Sequence, residues 1–507
     1  MPRFKEKLVN PTQLWLLPPS LNEMVSEDDE VRVLSELMDQ LDWSILENSY
    51  YDRGTPAYPP NIMTKVLVFA YSKGVRSSRK IEELLKSDVR YMWLAGCLKP
   101  DFHTIARFRK EKYALLSKLF VDSVRLSKQM GLVNLNIVAF DGTKIAASAS
   151  RKSLYDAKRV DKDLEAVEAI LREADDVDAQ EDAQLGDKNG FEVPEHLRDA
   201  TKRKALLKEL KAKLKDSGAK TISTSDDDCR MMKTRDGLKH GFNVQTAVDS
   251  QNQIIVAMNV TNLPTDHRQL PEMVNKVEEN CTIAPVMVLA DTGYCDEPTL
   301  AALDDNDQES LVCVKPVLNK KDNNLFQSKC FIKDDERDVL LCPAGRDLTF
   351  GSENQCGSGR YKTYRAQGCV SCSFRNECVK SGQGNRRVAV SCKERFRHCM
   401  IEKLKRPAGK EVYALRQQIV EPVFGQIKED RNFRRFSLRG FNGAIAEISL
   451  VFLTHNMLKC KKYAVSVAVS AINSLIYYLQ QGNRLLFEKI NGMLQISWST
   501  FKSEAAF

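Results

Sequence analysis

The sequence predicts a mixed α/β protein in which a sheet lies between two helix-rich ends. Three observations carry that expectation. Residues 30–130 repeat apolar residues at intervals of three and four, the period of helices that bury one face. From about 135 to 291, short runs rich in β-branched residues take over, separated by turn residues and one helix-like stretch. From about 407 the helical period returns.

In chain order, DDEVRVLSELMDQLDWSIL (28–46) reads as a helix capped by Ser26 or Asp28. NIMTKVLVFAYSKG (61–74) follows Pro-Pro and closes on Gly74, the start and stop that suit those residues. RSSRKIEELLKSDVRYMWLAG and PDFHTIARFRKEKYALLSKLF complete a basic helical unit over 1–132. Strands are expected at LNIVAFDGTKI (135–145), HGFNVQTAVD (240–249) and NQIIVAMNVTN (252–262), the last two forming a hairpin turned at Ser250-Gln251. HRQLPEMVNKVEEN (267–280) reads as a helix starting near Pro271, and VMVLAD (286–291) as the next strand. Two segments interrupt this core, which covers 133–304 and 406–462. Residues 150–228 are charge-dense and suit a solvated helical hairpin. Residues 305–405 form a polar, cysteine-rich insertion, and 463–507 a C-terminal helical tail.

At 507 residues there is room for about three domains. An apolar share of 43% and a charged share of 28% allow ordinary packed cores. The net charge of +8 is too modest to argue for nucleic-acid binding without local clustering. The N-terminus lacks the apolar run of a signal peptide. YAVSVAVSAINSLIYYL (463–479) is at the lower length limit for a membrane span and carries three Ser and an Asn, so a buried or amphipathic helix is expected. A cytosolic location follows, with the fourteen cysteines reduced or metal-bound.

Two apolar runs stop at acids, one at Asp141-Gly-Thr and one at Asp291-Thr-Gly. Open α/β sheets place their chemistry at such strand ends. The plain alternative is a turn in which the Asp bonds neighbouring amides. A lone Asp-Thr-Gly also resembles the loop of aspartic proteases, which would need a second such loop. The order β-β-β-α-β over 135–291 fits a ribonuclease H-like sheet, whose first and fourth strands are neighbours. Asp141 and Asp291 would then repel each other unless a cation lay between them, and hard oxygen ligands select Mg²⁺ or Mn²⁺. Helix-like YALRQQIVEPVFGQIKEDRNFRR (413–435) supplies a third acid, Glu421, with Lys428 two turns along the same face. Pro422 predicts a kink there, and Glu429 and Glu447 are the next candidates. Arg431, Arg434 and Arg435 interleave with Phe433 and Phe436 in what reads as a surface gripping a phosphate backbone. Arg76, Arg79, Lys80, Arg107 and Arg109 are the matching candidates near the N-terminus. A merely solvated basic surface is the competing reading for both groups.

These segments together resemble bacterial insertion-sequence transposases of the DDE class. The likeness runs from about 40 to 460 through AFDGTKI, MKTRDGLKHGFNVQTAVD, VLADTGY and IVEPVFGQIK in order, preceded by a helical segment like that family's DNA-binding domain. Tyr413, Arg416, Glu421 and Lys428 are similar to its Tyr-Arg-Glu-Lys signature. Here four residues separate Arg416 from Glu421, against the family's commoner three. The resemblance implies a DNA transposase with an α/β ribonuclease H-like catalytic core. It implies two Mg²⁺ or Mn²⁺ ions held by Asp141, Asp291 and Glu421, with phosphate contacts from Lys428, Arg416 and Tyr413. The implied partners are double-stranded DNA with terminal inverted repeats and target DNA, bound by a homodimer or larger assembly, with no membrane. A metal-dependent nuclease and a catalytically inactive DNA-binding derivative are the alternatives.

Ten of the fourteen cysteines fall between 295 and 399. LLCPAG supplies Cys342, and GCVSCSFRNEC supplies Cys369, Cys372 and Cys378. The Cys-x2-Cys pair suits one side of a structural zinc site, with Cys342 and Cys378 closing it. Cys356, Cys392 and Cys399 are substitutes, and unpaired thiols are the alternative.

Overall fold

The computed structural model describes residues 20–44, 56–149, 154–185, 195–218, 221–234, 237–314, 331–334, 337–356, 359–379, 384–391 and 393–480. Helices come first, the longer ones being Glu30–Met38 (α1), Pro60–Ser72 (α2), Ser78–Ser87 (α3), Phe102–Glu111 (α4) and Tyr113–Gln129 (α5), with short Leu21–Met24 and Val89–Leu94 among them. Local chemistry sets their starts. The side chains of Asp29, Ser77 and Asp101 accept hydrogen bonds from the amides of Val31, Lys80 and Thr104. Pro60 opens α2, where its missing N–H costs nothing.

Strand Ile137–Ala146 (β1) begins the central sheet. Two charged helices, Ala157–Leu185 (α6) and Glu195–Ser217 (α7), follow it and share a small apolar cluster including Val160, Val167, Leu207 and Leu210. The sheet continues with Arg230–Thr234 (β2), Gly237–Asp249 (β3) and Ile255–Thr261 (β4). Helix Leu270–Cys281 (α8) leads to Met287–Ala290 (β5), and Glu297–Asp305 (α9) to Ser310–Val312 (β6). The order is β2-β3-β1-β5-β6, with β4 also on β3. β1 is antiparallel to β3 and parallel to β5, and β6 is parallel to β5. β1 does not stop at Asp141, because residues 141–146 continue to pair with 246–241 of β3. Of the two strands expected to stop at an acid, only β5 does so, with Asp291 following its last residue.

The cysteine-rich segment builds a second, antiparallel sheet from Ile332–Asp334 (β7), Val339–Leu341 (β8), Asp347–Cys356 (β9), Gly359–Ala366 (β10) and Arg387–Ser391 (β11), in order β11-β10-β9-β8-β7. Helices Lys393–Lys405 (α10), Pro407–Gly425 (α11) and Gly440–Gln480 (α12) complete the described chain.

One apolar cluster runs from Val25 to Cys460 and joins α1–α5, the central sheet and α12. Ile448, Leu450, Val451, Phe452 and Leu453 are all buried, so α12 is apolar around its circumference there, as a core helix must be. Ser117 meets Ser449, and Asn456 bonds Ser123 and both backbone groups of Ile255. The expected boundary at 132 therefore lies within a continuous core. Farther along, Tyr463, Val465, Val467 and Ile472 are exposed, and no helix among the described residues is long and apolar enough to cross a membrane.

Candidate active site

The parallel pairing of Phe140 with Ala290 brings the next residues, Asp141 and Asp291, to one end of adjacent strands. One oxygen of each carboxylate serves the backbone. Asp141 Oδ1 accepts from the Gly142 amide at 2.9 Å, and Asp291 Oδ1 accepts from the Gly293 amide at 2.8 Å, capping the turn Thr292–Tyr294. The turn role that the sequence allowed is thus present, and it uses half of each acid. The other oxygens face Arg416 of α11, whose Nη2 lies 3.1 Å from Asp141 Oδ2 and 4.0 Å from Asp291 Oδ2. Burial pushes the Asp141 carboxyl up to about 6; Arg416 opposes that rise, and Asp291 adds to it.

Asp266, which precedes α8, is the residue the sequence reading missed. Its carboxylate accepts from Lys144 Nζ at 2.8 and 2.9 Å, and from Asn243 Nδ2 and Gln245 Nε2 at 2.7 Å each. Burial works to raise its pKa, but the hydrogen bonds from Lys144 and Asn243 and the charge of Lys144 outweigh it and hold the carboxyl below its ordinary value. Asp266 also explains the glycine of Asp-Gly-Thr. A Cβ at 142 would run into the Asp266 carboxylate and come within 2.7 Å of Gln245 Nε2. The same carboxylate packs against Gly293. Gln245 in turn accepts from the buried Tyr294 hydroxyl, tying the Asp291 turn to β3. Nothing in the spacing of Thr-Asp-His marked Asp266 out, since its partners come from β1 and β3.

α11 brings the remaining candidates. Arg416 is at the carboxylates. Glu421 is exposed and makes no ion pair among the described residues. Lys428, seven residues on, donates to Thr143 Oγ1, two residues beyond Asp141 on β1. α11 runs through Pro422, the position of the expected kink. The missing proline N–H frees the Gln418 carbonyl, which accepts from Gln253 Nε2 at 3.0 Å instead. The irregularity comes later, as a π turn over Gln426–Asp430 that carries Lys428. Tyr413 is half-buried; burial and the neighbouring Cys313 thiol, to which it is hydrogen-bonded, push its hydroxyl well above the ordinary value. Glu429 pairs with Arg434, and Glu447 is wholly buried, accepting from the Ser437 amide and hydroxyl and the Leu438 amide. Glu447 is therefore a structural acid.

Four of the seven arginines read as DNA-facing bond groups of the fold, although Arg435 is itself exposed. Arg109 is 4% exposed and donates to the Tyr71 hydroxyl, the Arg76 carbonyl and Ser78 Oγ. Arg76 donates to the Arg435 and Asn432 carbonyls and lies 4.9 Å over the Phe433 ring. Arg435 donates to the carbonyls of Ala147 and Ala149, and Arg431 meets the buried His455. Phe433 and Phe436 are buried edge-to-face, 5.5 Å apart, so they offer no stacking surface. Arg107 is exposed. Lys80 pairs with Glu83, Arg79 lies 4.4 Å over the Phe102 ring, and Arg434 is at the surface.

Cys342, Cys369, Cys372 and Cys378 line one small cavity in the second sheet's unit. Cys399 is exposed on α10, while Cys392 and the Cys356 side chain lie outside the described residues. Among the described residues, no three His, Cys, Asp or Glu side chains are drawn together closely enough to grip an ion as they stand.

Two acids side by side on adjacent parallel strands, with a helix carrying Arg and Glu across them, occur here in a chain of which two segments match transposase family models. Residues 19–111 match the Transposase domain (DUF772), and residues 341–461 match the Transposase DDE domain. The second match includes the four cysteines and all of α11, and begins after both aspartates. No curated protein matches the chain. A cryo-EM structure of the piggyBac transposase synaptic complex with hairpin DNA is similar at 10% identity and a TM-score of 0.31, covering 87% of this chain and 76% of that one. That likeness is too low to carry weight.

Proposed function

We propose that this transposase has a ribonuclease H-like core in which Asp141, Asp291 and Glu421 hold two divalent metal ions, Mg²⁺ or Mn²⁺. The observation that carries the proposal is the side-by-side position of Asp141 and Asp291 on parallel strands, with a cation already between them in the form of the Arg416 guanidinium. The strand order, with a parallel β1–β5 pair beside an antiparallel β1–β3–β4 set, supports the core assignment. The donors are hard oxygens, and the burial that holds the Asp141 proton is relieved when a cation neutralises the pair. Bound there, divalent ions would activate the attacking water or 3′-hydroxyl and offset charge on the departing oxygen.

The chain's own residues do the rest. Asp266, Lys144 and Gln245 hold the two aspartate loops in register. Arg416 exchanges carboxylate for phosphate oxygens when the acids take up metal, and its fork suits a phosphate in two-point contact. Lys428 supplies a point charge near the β1 end of the site. Glu421, exposed on α11, would complete the set. DNA contact falls to exposed basic residues, Arg107 and Arg434 among them, rather than to the buried arginines. The substrates are double-stranded DNA with terminal inverted repeats and a target duplex, engaged in the cytoplasm by a homodimer or larger assembly.

The test is incubation of the full chain with Mg²⁺ and a duplex carrying the repeats that flank its coding region. Strand cleavage followed by joining to a second duplex is expected. Cleavage without joining would make it a nuclease, and binding without cleavage an inactive derivative.

A further inference from the structure

We propose that Cys342, Cys369, Cys372 and Cys378 form a structural zinc site that staples the antiparallel unit of β7–β11. This goes beyond the transposase assignment and does not depend on it. The unit has a small core of its own: Phe331, Leu340, Leu348, Tyr364, Ala366 and Val388, with Cys369 among them. A core of that size rarely stabilises a fold without a staple. No disulfide supplies one, since all four cysteines are free.

The four residues converge from separate elements. Cys342 follows β8, Cys369 and Cys372 bracket the turn after β10, and Cys378 ends the short helix Arg375–Cys378. They line one cavity of about 20 Å³ together with Leu348 and Ala366.

The backbone around the sulfurs is the second observation. The Arg346 amide donates to Cys342 Sγ at 3.3 Å, and the Arg386 amide donates to Cys369 Sγ at 3.4 Å. A neutral thiol is a weak acceptor, so amides aimed at sulfur suit a thiolate, the form that binds metal. The Cys342 turn is built around its sulfur. The Cys342 amide donates to the Arg346 carbonyl at 2.9 Å, the Gly345 amide to the Cys342 carbonyl at 2.8 Å, and Gly345 has φ +76°. On the other side, the Cys372 amide donates to the Cys369 carbonyl at 3.2 Å and the Arg375 amide to the Cys372 carbonyl at 3.1 Å. Two turns thus present sulfur to one cavity from opposite sides.

Four thiolates so close need a cation of their own. Four soft sulfur ligands select tetrahedral Zn²⁺ over the Mg²⁺ or Mn²⁺ of an oxygen site. Because the side chains do not grip an ion as they stand, binding requires the thiols to rotate inward, and each loses its proton as it does so.

The experiment is metal analysis of the full-length protein purified without chelator, with a zinc titration of metal-stripped protein followed by thermal melting. The expected result is about one zinc per chain. The double variant Cys369→Ser/Cys372→Ser should retain none. Should that variant fail to fold, the titration still decides. Stripped wild-type protein should regain its melting transition at one equivalent of Zn²⁺, and the four thiols should become unreactive to a thiol reagent. Zinc-free protein that melts at the same temperature with or without Zn²⁺ would overturn the proposal, as would iron in place of zinc.

Discussion

The central sheet and the cysteine-bearing sheet each hold polar groups in fixed positions, but with very different amounts of core. Around β1 and β5 an apolar cluster reaching from Val25 to Cys460 surrounds the acids. Asp141, Asp266 and Gln245 can be kept partly or wholly from water there because so many apolar residues are buried beside them. The β7–β11 unit has a handful of buried apolar residues and, on the zinc proposal, relies on what its cysteines hold. The contrast teaches that the first site is positioned by packing, while the second does the positioning. Substitutions that crowd or discharge the sheet site should act through packing and charge; those in the cysteine unit should act through metal.

The largest effect on stability is expected from Arg109→Ala, which strands the Tyr71 hydroxyl and the Arg76 carbonyl in the buried seam between the N-terminal helices and the rest. A loss of about 2–4 kcal/mol, read by chemical denaturation, is expected; a neutral result would mean that this seam is not a single core. Gly142→Ala should cost about 1–3 kcal/mol through its clash with Asp266. Its counterpart Gly345→Ala meets nothing within 4 Å but sits at φ +76°. Only about 1 kcal/mol of backbone strain should appear there. Equal losses at the two glycines would erase the contrast between a crowded and an open site.

Asp141→Asn sharpens the comparison in the opposite direction. The folded pKa of Asp141 is raised from 3.8 to about 6, so its shift stabilises the fold below the unfolded value and that contribution is lost as pH rises through about 6. At pH 8 in chelator, removal of the charge should raise stability by on the order of 1–3 kcal/mol. Near pH 4 the gain should shrink toward zero. A variant less stable than wild type at pH 8 would show that Arg416 more than compensates the buried charge. The smallest effect is expected at Arg107→Ala, an exposed site: unchanged melting, weaker DNA binding, and a salt dependence reduced by about one counterion. Unchanged DNA affinity would remove Arg107 from the DNA surface.

The sheet was legible in the sequence because its signals are local. Runs of β-branched residues, the hairpin turn at Ser250-Gln251 and Pro271 at a helix start each depend on near neighbours. The meeting of Asp141 with Asp291 followed from strand order alone. Other features depended on distant partners. Asp266 acquires its place from Lys144, Asn243 and Gln245, none of which is near it in the chain. The arginines misled because a guanidinium serves equally well to grip phosphate or to bond carbonyls, as Arg76 and Arg435 do. Phe433 and Phe436 looked like a stacking surface among charges, yet they fill the core beneath the loop after the π turn. At Pro422, where a kink is expected, α11 continues, and the Gln253 side chain captures the freed carbonyl.

The central claim is that Asp141 and Asp291 work as a pair holding the reaction's metal ions. Strand cleavage of a pre-bound terminal-repeat duplex with Mg²⁺, in single turnover, tests it most directly for wild type, Asp141→Asn, Asp291→Asn and the double variant. The account predicts that each single change abolishes cleavage while DNA binding survives, and that the double variant is hardly worse than either, since the two acids act as one unit. Near-normal cleavage by Asp141→Asn would contradict it, leaving Asp141 and Asp291 as turn-forming residues bonded to the amides of Gly142 and Gly293.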